Sequence, residues 1–458
     1  MAGIGFVLRK MAQEDNLMGI IKAYFYSALV STGPWLFTIM TIGLTVLLSQ
    51  QAADFQTLEK FRLIIIYNFC FSFVFSGPIY LLATRHLADA LHRRDISGIP
   101  GMVIGTLALL YITQFPIVVI YATFYCDLGL WLSLSATINF LLITGIWLAS
   151  IFLSAIQDYK SILLIFFIGS LISIFGATTL VQNYDVMGLL NGFSGGLAFV
   201  MFSLIAKVFS AYPHPIKNPL AFLQDFGKYW DLVLGGFLTN ISIWIDKWIM
   251  WTAPEAEMPV KGMISFPNYD GAMFLAYLTN IPIIACFVFS VETGFYERYL
   301  KYYNSILNND SLTQIERLKH SLVSNTLHNM RLIRLLAATL CCTTIFLSPK
   351  IFELLNINFL QIGIFRLGVL GAFFQIFNSI NIIFFYYFEC RRKALVLTLI
   401  YIALNTSLTL YSLNLGYAYY GYGYFLSSAL IFLLSSWLLL NHFNKLTYHS
   451  FITNNPSL

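Results

Sequence analysis

Residues 130–155 read LWLSLSATINFLLITGIWLASIFLSA and residues 162–180 read ILLIFFIGSLISIFGATTL, two stretches without a single charged side chain. A hydrocarbon core about 30 Å thick takes about 20 helical residues to cross, the length of each stretch. Strands of a membrane β-barrel would alternate apolar and polar residues over about ten positions. Both stretches are apolar almost all round, so helices are the spanning elements.

Working outward, stretches of this kind occupy residues 23–48, 62–85, 101–124, 129–155, 161–182, 187–209, 229–252, 268–291, 330–348, 363–388, 395–412 and 417–440. The sequence therefore predicts an all-α polytopic membrane protein with about 12 transmembrane helices. Its 458 residues are 58% hydrophobic, 17% aromatic and only 10% charged. A soluble domain carries roughly 25% charged residues. Spans and short connections use up the chain, leaving no room for a soluble catalytic domain of about 100 residues. No enzyme, catalytic residue or cofactor is expected.

Lys and Arg set the orientation, because basic residues gather beside cytoplasmic membrane ends. With both termini inside, 20 of the 26 fall on the cytoplasmic side. Five fall outside (Lys60, Arg62, Lys261, Lys350, Arg366) and Lys247 lies within a span. The net charge of +5 is thus a topology signal beside a lipid bilayer, and no nucleic-acid partner is expected. Glu14 and Asp15 interrupt any apolar core before the first span, so no cleaved signal peptide is expected. No pair of cysteines falls on the outer face, so no disulfide is implied. All seven histidines fall inside, without zinc-protease spacing or a neighbouring thiol, so no metal site is expected.

Six spans, a loop punctuated by Pro213, Pro215 and Pro219, and six more spans suggest two six-helix bundles around a central cavity, as transporters place substrate between structural repeats. The expected organisation is a cytoplasmic segment over 1–22, a first bundle over 23–209, a linker over 210–228, a second bundle over 229–440 and a tail over 441–458. An amphipathic insertion covers 292–329. There Asn308-Asn309-Asp310 breaks the chain and Ser311-Leu312-Thr313-Gln314 has the pattern of a capping box, so a helix starts at Ser311. Leu312, Ile315, Leu318 and Leu322 then recur at helical spacing, either as a face lying on the inner leaflet or as a docking face for a cytoplasmic partner.

Gly33-Pro34 and Gly77-Pro78 place helix breakers inside the first two spans, at depths that differ by roughly 5 Å. They are candidates for a hinge or gate; a static kink for close packing is the alternative. Gly188, Gly192 and Gly196 read as a helix-packing stripe. Asp246 and Lys247 are the deepest adjacent charges. Neighbours diverge by about 100° around a helix, so the pair is not expected to meet face to face, and each should find a partner on another helix or in a wet cavity. Snorkelling to the headgroups is the alternative for Lys247.

Near the span midpoints the polar residues are neutral amides: Asn68, Asn139, Asn240, Asn280, Asn378 and Asn405, with Gln375 one turn before Asn378. A carboxamide offers both donors and acceptors without a buried net charge, which suits sugar hydroxyl and acetamido groups; interhelical hydrogen bonding is the competing use. With Asp246 and Lys247 these residues form the candidate substrate path. Tyr417, Tyr419, Tyr420, Tyr422 and Tyr424 cluster where the last span begins, as an interfacial aromatic belt or a stacking rail for sugar rings.

Several runs resemble the PelG family of inner-membrane Pel exopolysaccharide transporters: Met1-Ala2-Gly3-Ile4-Gly5-Phe6 with Leu8-Arg9-Lys10, Gly33-Pro34-Trp35, Ile245-Asp246-Lys247, Tyr269-Asp270, residues 272–279 with Pro282, and Val291-Glu292-Thr293 before Phe295-Tyr296-Glu297-Arg298. The resemblance implies a member of the superfamily of multidrug and lipid-linked oligosaccharide flippases, seated in the bacterial inner membrane. It also implies PelD-, PelE- and PelF-like synthase partners and a hexosamine-rich polysaccharide cargo destined for a biofilm matrix. The competing readings are an ion-coupled small-molecule or lipid-linked oligosaccharide flippase, and a non-transporting scaffold of a synthase complex.

Overall fold

The computed structural model describes residues 17–156 and 158–453. The N-terminal run Met1 to Lys10, the first part of the segment 1–22 and the last five residues of the tail lie outside them. Among the described residues, ten helices are long and apolar enough to cross a membrane. The 53-residue helix Tyr159–Ala211 turns back at Asp185, and Trp230–Met250 adds a helix of 21 residues. The expected set of about twelve is present.

Packing divides the chain into two compact units, one of residues 33–267 and one made of Met1–Thr32 with Asn268–Leu458. The chain passes between them twice. The first passage is inside helix α1 (Leu17–Ser49), between Thr32 and Gly33, and the second is between Pro267 and Asn268. Residues 33–267 are called the inserted unit below, and the other is called the discontinuous unit.

In the inserted unit α2 (Phe55–His92) is the central helix. Asp54 caps it by accepting from the Thr57 amide at 3.1 Å, and Phe61, Ile64 and Cys70 are fully buried. It packs on α4 (Leu130–Ile156) and on α6 (Trp230–Met250), while α3 (Ile99–Ile120) lies against α4. The long α5 (Tyr159–Ala211) is a helical hairpin whose turn is a single residue, Asp185, at φ 45° and ψ −128°. Its limbs touch through glycine: a Cβ on Gly192 would sit 2.2 Å from the Ala177 nitrogen, and one on Gly196 2.2 Å from the Gly169 carbonyl oxygen. The four-residue glycine spacing is therefore a packing stripe. At the open end of the hairpin, Asp158 accepts from the Ser161 hydroxyl at 2.7 Å and pairs with Lys207 at 2.6 Å.

The Pro-rich segment 210–228 is packed onto this unit. His86 Nδ1 lies 2.7 Å from Asp225 Oδ2, and the Tyr229 hydroxyl donates to Asp89 at 3.1 Å. The Pro219 carbonyl fits against α3 only because Gly105 has no Cβ, which would stand 1.8 Å from that oxygen. A short antiparallel hairpin, β1 (Glu257–Val260) and β2 (Met263–Ser265), turns at Gly262 with φ 76°.

In the discontinuous unit the expected eighth span is two helices, α7 (Pro267–Leu278) and α8 (Ile281–Ser290). The break falls at Thr279–Asn280, where Pro282, in the first turn of α8, has no N–H for the Leu278 carbonyl. After α9 (Tyr296–Leu307), Ser311 accepts from the Gln314 amide at 3.4 Å and opens α10 (Leu312–Leu354) as the capping pattern predicts. The Gln314 side chain turns to Asp310 at 3.1 Å, so only half of the capping box forms. Nothing separates the capped helix from the ninth span. Leu327-His328-Asn329-Met330-Arg331 contains neither Gly nor Pro, and α10 runs unbroken for 43 residues. The unit is completed by α11 (Ile362–Tyr387), α12 (Arg391–Leu415) and α13 (Tyr422–Asn444), the last packed on both of the others, and by the turns Leu446–Tyr448 and His449–Thr453.

Candidate functional site

The polar side chains within each unit's spans decide what these bundles can do. In the inserted unit Asn68 donates to the Ala136 carbonyl at 3.0 Å and to Asn139 Oδ1 at 2.9 Å. Asn139 in turn donates to the Ser194 hydroxyl at 2.9 Å. This chain ties α2, α4 and the second limb of α5 together, and Asn139 is fully buried. Asn240 donates to the Phe73 carbonyl at 2.6 Å. It does so beside the point where α2 and α6 cross backbone to backbone: a Cβ on Gly236 would lie 2.2 Å from the Gly77 carbonyl oxygen. Asn68, Asn139 and Asn240 thus all serve as bridges between helices.

The breakers have a packing use. Gly77 admits α6, and a Cβ on Gly33 would press on the Leu163 side chain at 2.7 Å. Pro34 and Pro78 both lie inside helices that continue past them.

Asp246 and Lys247 correct the sequence reading. Although adjacent, they pair within α6: Lys247 Nζ lies 3.0 and 3.1 Å from the two Asp246 carboxylate oxygens and 3.0 Å from the Ile243 carbonyl. The lysine stem is long enough to fold back one turn, so divergent Cβ directions do not keep the two charges apart. Asp246 is fully buried and Lys247 nearly so. The same stretch of helix stacks Trp248 on Phe71 and Trp251 on Tyr67, with centroids 5.7 and 5.2 Å apart.

In the discontinuous unit Gln375 Oε1 accepts from the Tyr401 hydroxyl at 3.0 Å and the Tyr424 hydroxyl at 2.7 Å. Asn405 Oδ1 accepts from Thr409 at 3.0 Å, but its Nδ2 is buried without a partner. The Oδ1 atoms of Asn280 and Asn378 are buried and unpartnered too. Asn381, which the sequence reading passed over, donates to Ser435 and Ser436, each at 3.0 Å. Its position three residues after Asn378 was the available signal. Tyr420 and Tyr424 are buried while Tyr419 and Tyr422 are exposed, so the tyrosine cluster divides between core and surface. Asn280 lines a small cleft with Thr279, Ile283, Leu340, Cys341 and Phe373, too small for a sugar ring.

The apolar stripe of α10 is largely covered by its own unit. Ile315 and Leu322 are buried, Leu318 packs on the same core and Leu312 alone is well exposed. A further cluster went unseen in the sequence: Cys390, His442 and His449 bring one thiol and two imidazoles within 4.8 Å of one another. The expectation that no histidine has a neighbouring thiol is therefore overturned. These residues are 52 and 59 positions apart in the chain, too far for a spacing motif to reveal.

Comparison with known proteins agrees with this architecture. The profile of the PelG family, described as "Putative exopolysaccharide Exporter (EPS-E)", matches residues 1–451. No curated protein sequence matches the chain. Among solved structures, a MOP superfamily transporter from Pyrococcus furiosus superposes with a TM-score of 0.62 at 13% identity, covering 92% of this chain and 96% of its own. An outward-facing multidrug resistance MATE family transporter gives 0.63 at 12%, covering 92% and 96%. An inward-facing one gives 0.60 at 12%, covering 91% and 99%. At such identities the likeness establishes the fold, that of the MOP transporters.

Proposed function

The chain belongs to the PelG exopolysaccharide exporter family, and on that premise we propose that this membrane transporter carries a hexosamine-rich polysaccharide across the bacterial inner membrane for a biofilm matrix. The observation that carries the reading is the family match, which spans nearly the whole chain from its first residue. The chemistry of the discontinuous unit supports it. Asn280, Asn378 and Asn405 keep buried amide atoms without protein partners, and these are neutral donors and acceptors of the kind that sugar hydroxyl and acetamido groups satisfy. In this reading both termini are cytoplasmic, as the charge bias predicts, and PelD-, PelE- and PelF-like proteins deliver the polymer. Gly33-Pro34 and Gly77-Pro78 are the places where a span would bend.

The alternative, an ion-coupled flippase of small molecules or lipid-linked oligosaccharides, needs a carboxylate free to take up a cation or a proton. Asp246 is the buried candidate, and its contact with Lys247 weighs against that use. The decisive experiment reconstitutes the protein with its synthase partner in vesicles and measures polymer on each side. Polymer should cross only when the chain is present. Equal transfer with and without it would leave a scaffold role as the better account.

A further inference from the structure

Cys390, His442 and His449 come from three separate places in the discontinuous unit: the link between α11 and α12, the last turn of α13, and the final described turn. Cys390 and His442 are buried, under Phe388, whose ring centroid lies 5.3 Å from that of His442. The Cys390 sulfur is 3.5 Å from His449 Nε2 and 3.8 Å from each ring nitrogen of His442. Tetrahedral zinc with Zn–S of about 2.3 Å and Zn–N of about 2.0–2.1 Å requires S···N separations of about 3.5 Å. The sulfur thus stands near coordination distance from both imidazoles, and the ligand atoms of all three residues lie within 4.8 Å of one another; rotation of the His442 ring would aim one nitrogen at the common centre.

The backbone holding the thiol is itself unusual. The Cys390 amide donates to the Phe385 carbonyl at 2.8 Å and the Glu389 amide to the Tyr386 carbonyl at 3.1 Å, closing α11 with a Schellman turn. That turn places Glu389 at φ 56°. Of the seven non-glycine residues with positive φ among those described, five are Asn or Asp, which tolerate the conformation; Glu389 and Arg94 are not. The strained turn aims the sulfur at the two imidazoles.

We propose that Cys390, His442 and His449 bind one zinc-like divalent ion, which fastens the C-terminal turn to the ends of α11 and α13. A thiolate with two neutral imidazoles is a borderline-soft donor set suited to zinc, with a fourth position left for water or another ligand. On binding, the ion replaces the thiol proton. That proton passes to solvent, while the neutral His449 ring shifts to its Nδ1–H tautomer and gives up the Nε2–H contact to the Phe388 carbonyl at 3.2 Å, so the ring itself releases no net proton. Without the ion the turn is held by polar contacts such as Thr447 to Glu316 at 2.7 Å and Tyr302 to Ser450 at 3.2 Å.

The test uses untagged, full-length protein in lipid nanodiscs, stripped with chelator and titrated with Co²⁺ and then Zn²⁺. Wild-type protein should bind about one ion per chain and give the intense sulfur-to-cobalt absorption of a bound thiolate, displaced by zinc. Cys390→Ser should abolish that absorption. His449→Gln should weaken zinc binding by more than the roughly 10- to 100-fold that losing an outer-shell partner costs. Cys342→Ser, at an exposed cysteine elsewhere in the unit, should change neither. A wild-type protein without the sulfur-to-cobalt band would overturn the proposal, even if Cys390→Ser failed to fold. So would a band that survives in Cys390→Ser or disappears in Cys342→Ser.

Discussion

The two units use the same residue types in different ways. In residues 33–267 three asparagines at mid-span are engaged with one another and with the backbone: Asn68 reaches Asn139, Asn139 reaches Ser194, and Asn240 holds a carbonyl on α2, while Gln114 on α3 accepts from Thr144 but keeps a buried Nε2 without a partner. The deepest charges there, Asp246 and Lys247, neutralise each other. In the other unit Asn280, Asn378 and Asn405 each leave a buried polar atom unanswered. A buried polar atom with no partner costs on the order of 1–3 kcal/mol, and such atoms are few in folded proteins. The contrast teaches that amides counted along a sequence divide into two kinds, those whose polar atoms are answered across helices and those that keep a buried atom unanswered.

The most severe way to break this comparison is Asp246→Leu, which strands a buried ammonium. It should destabilise the protein by about 3–5 kcal/mol and deplete it from the membrane, whereas Asp246→Leu with Lys247→Met should recover most of the loss. Abundance and Tm in detergent would show it; an unchanged Tm for the single variant would mean that the pair carries no structural weight.

Next in size is a matched pair of substitutions across the units. Asn139→Leu removes an acceptor from Asn68 and a donor from Ser194 and should cost about 2 kcal/mol or more. Asn378→Leu removes an acceptor that nothing satisfies, so Tm should hold or rise while polymer export falls. If both lose stability equally, the distinction between the units collapses. If Asn378→Leu exports normally, that residue leaves the proposed path.

The smallest effect lies at the open end of the α5 hairpin. Asp158→Ala removes an N-cap and the Lys207 contact and should cost about 1 kcal/mol. Lys207 and then Ser161 hold the Asp158 carboxyl below its ordinary value. Its contribution is therefore complete above the unfolded-state value and fades as pH falls through the lowered one. The Tm gap between wild type and Asp158→Ala, measured at neutral pH, should narrow on acidification below about pH 4.

The spanning helices were legible because burial in lipid demands long apolar runs, and Asp185 turns back α5 between the two spans read at 161–182 and 187–209. The family was legible as well, in short runs such as Ile245-Asp246-Lys247. Less legible was whatever depends on reach or on distant pairing. The Asp246–Lys247 contact hung on side-chain length and not on helical angle. The partners of Asn378 and Asn139 look alike in a sequence and differ only once the helices are packed. The covering of Ile315 and Leu322 needed the neighbouring helices in place, and the Cys390 cluster joins residues from the two ends of α12 and α13.

The passage of the chain at Thr32–Gly33 and again at Pro267–Asn268 has a consequence for biosynthesis. Ser27, early in α1, donates to the Ala285 carbonyl at 2.8 Å. That acceptor does not exist until all of residues 33–267 have been translated. At about 5–20 residues per second the wait is tens of seconds. During that time the turn of α1 around Ser27 sits in the bilayer without this neighbour, while residues 33–267 are complete and can close first. Assembly thus has a built-in order, with the Ser27 turn made before residues 33–267 and settled after them.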